Sequence, residues 1–286
     1  MQNDNAGSHT HAGADKAPPT PGGAFRWERE TWGHALRCVP LASVAQHLFT
    51  SAQPPLPLGD GGRVGAAARD TDEAWRLVAA SVGARRDQVR RVRQVHGNAV
   101  RVIARGVDAG AGAMEKPDGD AVVSNVPGLV LAVLVADCVP ILLAEAASGA
   151  AAAIHAGWRG TCAGIVTAAV ERMASGFGTR PEDMVCAIGP SIGPDDYEVG
   201  ESLLADFTAA GYDPGALARW FRRGEGDGRL FLDLWQANQD QLIAAGVRPE
   251  RIHLCGLSTF RHPGWLESYR RDGPGAGRMV AAVSVP

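Results

Sequence analysis

Residues 120–160 read DAVVSNVPGLVLAVLVADCVPILLAEAASGAAAAIHAGWRG, a succession of short apolar runs broken by Pro127-Gly128, Asp137-Cys138, Ser148-Gly149 and His155 to Gly157. Runs of this length, rich in β-branched residues and bounded by turn formers, predict strands buried on both faces; a half-exposed strand would alternate with polar residues. The polar residues that punctuate the runs then lie at strand ends, where side chains from separate strands can converge on one rim.

The flanks add helices. Thr71 and Asp72 precede an apolar pattern at helical spacing through Trp75, Leu77, Val78 and Val82, after a Pro/Gly-rich loop from Pro54 to Gly65. The run QVRRVRQVHGNAVRVIARG alternates apolar and polar residues with Gly97 at its turn, which predicts a half-buried strand and sets His96 at a strand end. Thr161 to Met173, Glu201 to Ala210 and Asp233 to Ala245 predict helices; MVCAIGP, Ile252 to Cys255 and Met279 to Val285 predict strands. With no βαβ alternation, internal repeat or interdomain linker, one α+β domain is expected over residues 25–286. Residues 1–24 carry too little apolar surface to offset the entropy of ordering, so a disordered tail is expected there, with His9 and His11 as solvated members.

Composition narrows the function. A hydrophobic content of 45% is ample for a large core, and a net charge of -3 gives no basic field to hold a nucleic-acid backbone, which favours small-molecule chemistry. Five widely spread cysteines, an odd number, do not make a disulfide framework and suit a reducing compartment. The N-terminus lacks the cationic start and apolar run of a secretion signal, and the longest apolar stretch, Gly128 to Ala136, is too short to span a bilayer. The expectation is a cytoplasmic protein without membrane or nucleic-acid partners, monomeric or at most weakly dimeric.

His96 in QVHG, Cys138 in ADCVP and His155 in HAGWRG can be read as a zinc shell, because zinc accepts imidazole and thiolate together and a catalytic site keeps three protein ligands with an open position. Their separations of 42 and 17 residues are not a zinc-finger spacing, and each residue alone also reads as a hydrogen-bonded histidine or a small buried cysteine. Cys138 as nucleophile with His155 as base would equally suit a cysteine hydrolase, although His96 then has no duty. A zinc-stabilised interaction module would want a fourth protein ligand. Arg159 in GWRG and Arg270 or Arg271 in YRRDG have the planar fork that clamps phosphate, or they pair with surface acids. Asp137 and Asp120 can act as acid or base, or orient the histidines from behind. Trp158 can stack on a flat ring or simply pack. Cys162, Cys186 and Cys255 are assigned to the core or to a helix interior.

The strings QVHG, ADCVPILL, HAGWRGT, IGPSIGPDDYEVG, FLDLWQANQDQL and SYRRDG, in this order from about His47 to Met279, resemble the laccase-domain family, catalogued both as multicopper polyphenol oxidases and as purine nucleoside phosphorylases. The resemblance implies that His96, Cys138 and His155 bind Zn2+. It implies cleavage of adenosine, inosine, guanosine or methylthioadenosine with phosphate as co-substrate, and hydrolytic deamination of adenosine. It implies an α+β fold of mixed β-sheets packed between helical layers, similar to certain bacterial toxin deamidases. With it, Asp137, Arg159 and Asp120 become candidates for catalysis, and Arg159, Trp158 and Arg271 for substrate binding. A copper-dependent polyphenol oxidase is the weaker reading. Six of the eight histidines lie outside the tail and form none of the His-x-His pairs that copper clusters use, although copper competes well for a His₂Cys set.

Two stretches depart from the family pattern. Where it usually reads FTTRxGGVS, this chain has Phe49, Thr50, Ser51, Ala52 and Gln53, without the arginine. If that arginine holds phosphate or substrate, another cation must serve here. A Cys-Thr-x-Cys type string is replaced by Cys255, Gly256, Leu257 and Ser258.

Overall fold

The computed structural model describes residues 17–56, 71–104, 116–226 and 228–286. Its elements in chain order are β1 (Phe25–Glu30), β2 (Gly33–Cys38), α1 (Val39–Ala42), β3 (His47–Thr50), α2 (Asp72–Ala80), β4 (Val89–Arg91), β5 (Val100–Ile103), β6 (Ala121–Ser124), β7 (Val130–Val135), β8 (Val139–Glu145) and β9 (Ala150–Ala156). There follow α3 (Trp158–Cys162), α4 (Ile165–Phe177), β10 (Val185–Ile188), β11 (Glu198–Val199), α5 (Glu201–Ala209), α6 (Pro214–Trp220), β12 (Phe221–Arg223), β13 (Leu230–Leu232), α7 (Leu234–Ala244), β14 (Ile252–Leu254), α8 (Tyr269–Asp272) and β15 (Met279–Ser284).

The strands form two mixed six-stranded sheets, in the orders β1-β2-β3-β15-β7-β4 and β14-β10-β8-β9-β6-β5, and a small third sheet, β11-β13-β12. Alternate side chains of a strand leave opposite faces, so a run apolar at every position must be covered on both sides. Three apolar layers meet that demand. Val130, Ala132, Val280 and Ala282 on the first sheet pack under Trp75 and Val78 of α2. Leu131, Val133 and Ala281 on its other face meet Leu142, Ala151 and Ala153 of the second sheet. Ile141, Leu143, Ala152 and Ile154 on the far face of the second sheet lie under Ile165, Ala169 and Met173 of α4, with α7 alongside through Leu234, Ala237 and Leu242. The result is a helix–sheet–sheet–helix stack, an α+β fold of mixed sheets between helical layers.

Helix α2 starts where Thr71 caps it, its side chain accepting a hydrogen bond from Ala74 N–H. The helix expected over Thr161 to Met173 is instead two, α3 and α4, parted at Gly164, whose left-handed backbone (φ 75°) breaks the helical path. His96 lies not at a strand end but midway along the connection between β4 and β5. Part of the loop from Pro54 to Gly65 and residues 1–16 of the expected tail lie outside the described residues. Residues 17–24 are tied to the body: Gly22 N–H donates to Cys255 O, Trp27 Nε1 to Pro19 O, and Val39 N–H to Ala24 O. No helix among the described residues is long and apolar enough to cross a membrane.

Candidate metal centre and cavity

Strand register assembles the centre. In the β8–β9 pair Val139 faces Ala156 and Pro140 faces His155, which sets Cys138 across from Gly157. In the β6–β9 pair Ala121 faces Ile154, which sets Asp120 beside His155. His155 is buried; its N–H donates to Asp120 O at 2.7 Å, and its Nδ1 lies 2.9 Å from Asp120 Oδ1. The same carboxylate gathers the loop that carries His96, accepting from His96 N–H (2.9 Å), Gly97 N–H (2.7 Å) and Val95 N–H (3.3 Å). His96, exposed and in the left-handed region (φ 60°), thereby meets His155 edge to face with ring centroids 4.8 Å apart.

The ligating atoms of His96, Cys138 and His155 all lie within 4.8 Å of one another. The set fits a metal ion on three grounds. Imidazole and thiolate are a donor set that zinc accepts. Asp120 takes His155 Nδ1, which leaves Nε2 for the cluster, the usual backing of a metal-bound histidine. Gly157 leaves room that a side chain would fill: a Cβ there would stand 2.9 Å from Cys138 Sγ and 3.2 Å from His96 Cδ2. Burial alone would raise the Cys138 thiol, but His155 and then His96 pull it down to about 6. Burial would lower His155, yet Cys138 and Asp120 draw it up to about 9. The two groups thus favour the charged form of each other, and a metal ion would take the place of the proton between them.

The cluster opens on a cavity of about 700 Å³ lined by His96, Cys138 and His155 together with Asp137, Trp158, Tyr197, Tyr269 and a set of cations that includes Arg93, Arg270 and Arg278. Not every candidate faces it. Arg159 is exposed, with its guanidinium 4.3 Å over the Trp158 ring, and does not line the cavity. Arg271 is consumed elsewhere: it donates to the carbonyls of Thr259, Phe260 and Leu266 and pairs with Asp272. Its neighbour Arg270 takes the place on the cavity, with Nη1 on Glu198 O and its guanidinium 5.0 Å over the Tyr197 ring. Asp137 lines the wall, but both its oxygens are occupied, by Thr259 Oγ1 (2.6 Å) and by Arg270 N–H (2.5 Å). Burial and the nearby Cys138 push the Tyr197 phenol up to about 12. Tyr197 was within reach of the sequence, since it stands in the IGPSIGPDDYEVG string; Arg278 was not, because only the β7–β15 register, with Met279 facing Val135, brings it to the Cys138 end of the sheet.

Two stacked mixed sheets under helical layers carry, in the wall of a cavity of about 700 Å³, a His₂Cys cluster that could hold a metal ion. Residues 50–286 match the family model described as multi-copper polyphenol oxidoreductase laccase, and the chain belongs to that family. Among the described residues His96, Cys138 and His155 are the one group of histidine, cysteine and acid side chains with metal-holding geometry. A Streptomyces coelicolor protein named purine nucleoside phosphorylase SCO2081 is 40% identical over 234 residues, 82% of this chain and 90% of its own. A Deinococcus radiodurans purine nucleoside phosphorylase is 40% identical over 209 residues, 73% of this chain and 75% of its own. A Bacteroides thetaiotaomicron protein of the same name is 41% identical over 166 residues, 58% of this chain and only 60% of its own length. Among solved structures, YlmD from Geobacillus stearothermophilus superposes with a TM-score of 0.78 at 30% identity, covering 91% of this chain and 98% of that one.

Proposed function

We propose that this chain is a zinc-dependent purine nucleoside phosphorylase that also deaminates adenosine. The observation that carries the reading is the His96, Cys138 and His155 cluster in the wall of a cavity of about 700 Å³, a size suited to a nucleoside with phosphate beside it. The names of the relatives support the substrate class. Held by these three residues, a zinc ion would supply Lewis acidity and would lower the pKa of water at the cavity wall. Asp120 fixes the His155 tautomer and the His96 loop. Trp158 and Tyr197 flank the purine.

Arg270 and Arg278 hold the phosphate. Both line the cavity, and neither has a carboxylate partner among the described residues: Arg270 donates to Glu198 O, Arg278 to Ala276 O and Gly277 O. Continuing the β3–β15 register, in which Phe49 faces Ala281, sets Arg278 level with Ala52, where the resembling family carries its arginine. Arg159 acts at the exposed mouth by holding the Trp158 ring. In phosphorolysis the bond from the purine nitrogen to the anomeric carbon breaks, a phosphate oxygen bonds that carbon, and the proton of hydrogenphosphate ends on the base. Zinc-loaded protein given inosine or adenosine with phosphate is expected to release free base and ribose 1-phosphate, and some adenosine becomes inosine. No base release from any purine nucleoside at saturating phosphate refutes the reading.

One observation favours a second reading, a cysteine hydrolase: Cys138, His155 and Asp120 form a thiol–imidazole–carboxylate chain. That enzyme would work without metal on an ester or amide and would be inactivated by alkylation after zinc removal. The phosphorylase regains nucleoside cleavage when zinc is restored.

A further inference from the structure

We propose that Asp137 is a positioning residue that holds the anion-binding Arg270 in register with the metal ligand Cys138; the inference rests on the phosphate role given to Arg270 above. Asp137 immediately precedes Cys138 and has a positive φ of 89°, one of only two non-glycine residues with positive φ among the described residues. Such a backbone costs on the order of 1–3 kcal/mol and persists only where the surroundings over-determine it. Here three segments do so. Ile192 N–H donates to the Asp137 carbonyl at 2.9 Å, Thr259 Oγ1 donates to Oδ1, and Arg270 N–H donates to Oδ2.

These segments are themselves joined. Thr259 N–H donates to Ser191 O, Ser191 Oγ accepts from Trp235 Nε1 of α7, and Arg271 Nη1 donates to Thr259 O. The carboxylate of Asp137 is thus the point where the turn that aims Cys138 meets the first turn of α8, from which the Arg270 side chain reaches the cavity. If Cys138 and Arg270 fix metal and phosphate, the span between the two subsites is set by this one side chain.

Three substitutions separate the roles Asp137 could have. Asp137→Asn keeps the shape: its carbonyl oxygen can accept from Arg270 N–H while its amide donates to Thr259 Oγ1, and asparagine tolerates positive φ. Asp137→Gly has the backbone best suited to φ 89° but no anchor. Asp137→Ala loses both. The readouts are zinc affinity by competition with a chromophoric chelator, and affinity of the zinc-loaded protein for inorganic phosphate by calorimetry, with melting curves to establish folding. The expected result is that Asn retains most of both affinities, whereas Gly and Ala each lose about tenfold in zinc and in phosphate affinity, the size of effect typical when a partner of a metal ligand is removed. Thr259→Val, which leaves the turn intact and removes one anchor, moves both affinities in the same direction by less, and Thr259→Ser moves them less again.

Glycine behaving like the wild type would overturn the inference, because only tolerance of the turn would then be needed. Asparagine losing as much as glycine, with one limb of the pH profile of kcat/KM gone, would overturn it in favour of an acid–base role. A wild-type protein that binds zinc and phosphate yet releases no base refutes the proposed function and leaves this inference to be decided by the two affinities.

Discussion

Gly157→Ala isolates the metal centre from the fold. Gly157 has φ -73° and ψ 171°, an extended backbone that alanine adopts freely, so the change brings no backbone strain and slightly restricts the unfolded chain. What it brings is a methyl group 2.9 Å from Cys138 Sγ and 3.2 Å from His96 Cδ2, where ordinary contact begins at 3.4 Å. Sγ must retreat by about 0.5 Å, well beyond the ~0.2 Å within which metal–ligand distances are held. The thiol is the end of a one-torsion side chain on a turn pinned by Asp137, so it has little room to swing. The affected atoms belong to two of the three ligands, and the expected cost is about 10- to 100-fold in zinc affinity, or about 1.4–3 kcal/mol. Chelator competition measures the affinity, and the melting temperature of the metal-free protein measures the fold. The expected pattern is weak zinc binding with a metal-free melting temperature close to that of the wild type. Zinc affinity equal to the wild type's would refute the assignment of Cys138 and His96 as co-ligands facing Gly157.

Other outcomes follow from the same contacts. Arg270→Ala is expected to raise the KM for phosphate with little change in melting temperature, whereas Arg271→Ala lowers stability by about 1–3 kcal/mol through its lost carbonyl and Asp272 contacts, as denaturant titration would read; the reverse pattern would exchange their roles. Asp120→Asn is expected to weaken zinc binding by about 10- to 100-fold, because the amide cannot accept from His155 and from three backbone N–H groups alike; unchanged zinc affinity would contradict it. Buried His47 accepts from Cys38 N–H through Nε2 and is held down to about 4 from 6.5, first by burial. The unfolded chain therefore binds this proton before the folded one does: the His47 contribution is intact above pH 6.5 and is lost as pH falls towards 4, by about 3 kcal/mol in all. Stability of a His47→Gln variant should lack that slope in denaturant titrations across the interval. Deletion of residues 1–16 is expected to leave the melting temperature unchanged, and deletion of 1–24 to lower stability by about 1–3 kcal/mol through the lost Pro19, Gly22 and Ala24 hydrogen bonds; equal effects would place the boundary elsewhere.

How much of this was legible in the sequence follows from which interactions are local. The strands of residues 121–156 could be read because an uninterrupted apolar run has few other uses, and their ends located Cys138 and His155. Strand β1, FRWERE, shows mostly partly exposed positions at a sheet edge, and β12 and β13 have three residues each, too few to display a period. The split of α3 from α4 turns on one glycine that a helical pattern can absorb until its φ is known. Arg270 and Arg271 are adjacent and chemically alike; what separates them is the cage of Thr259, Phe260 and Leu266 carbonyls that receives one of them, a product of tertiary packing. Asp120 and Asp137 could be named as acids near the histidines, but which atoms they hold depends on sheet register and loop docking.

The two positions where the described chain breaks a local backbone rule without a glycine are His96 and Asp137. Both lie at the candidate metal centre, one in the His₂Cys cluster and the other next to Cys138, and each is held by a carboxylate that accepts hydrogen bonds from the backbone or a neighbouring hydroxyl. Asp120, just before β6, draws in the His96 loop, and Asp137 ties its own turn to α8. A hydrogen bond from a neutral donor to a charged acceptor contributes about 1.5–3 kcal/mol, enough for each carboxylate to offset the ~1–3 kcal/mol of a left-handed residue. The strain at the two turns and the buried acids beside them are then one arrangement: side chains that a relaxed strand end would turn away are held facing a shared point, with the rigidity that ligand placement requires. Neutralising Asp120 should therefore act on metal binding before it acts on any proton transfer, whereas at Asp137 the loss of the side chain, and not of its charge alone, should do so.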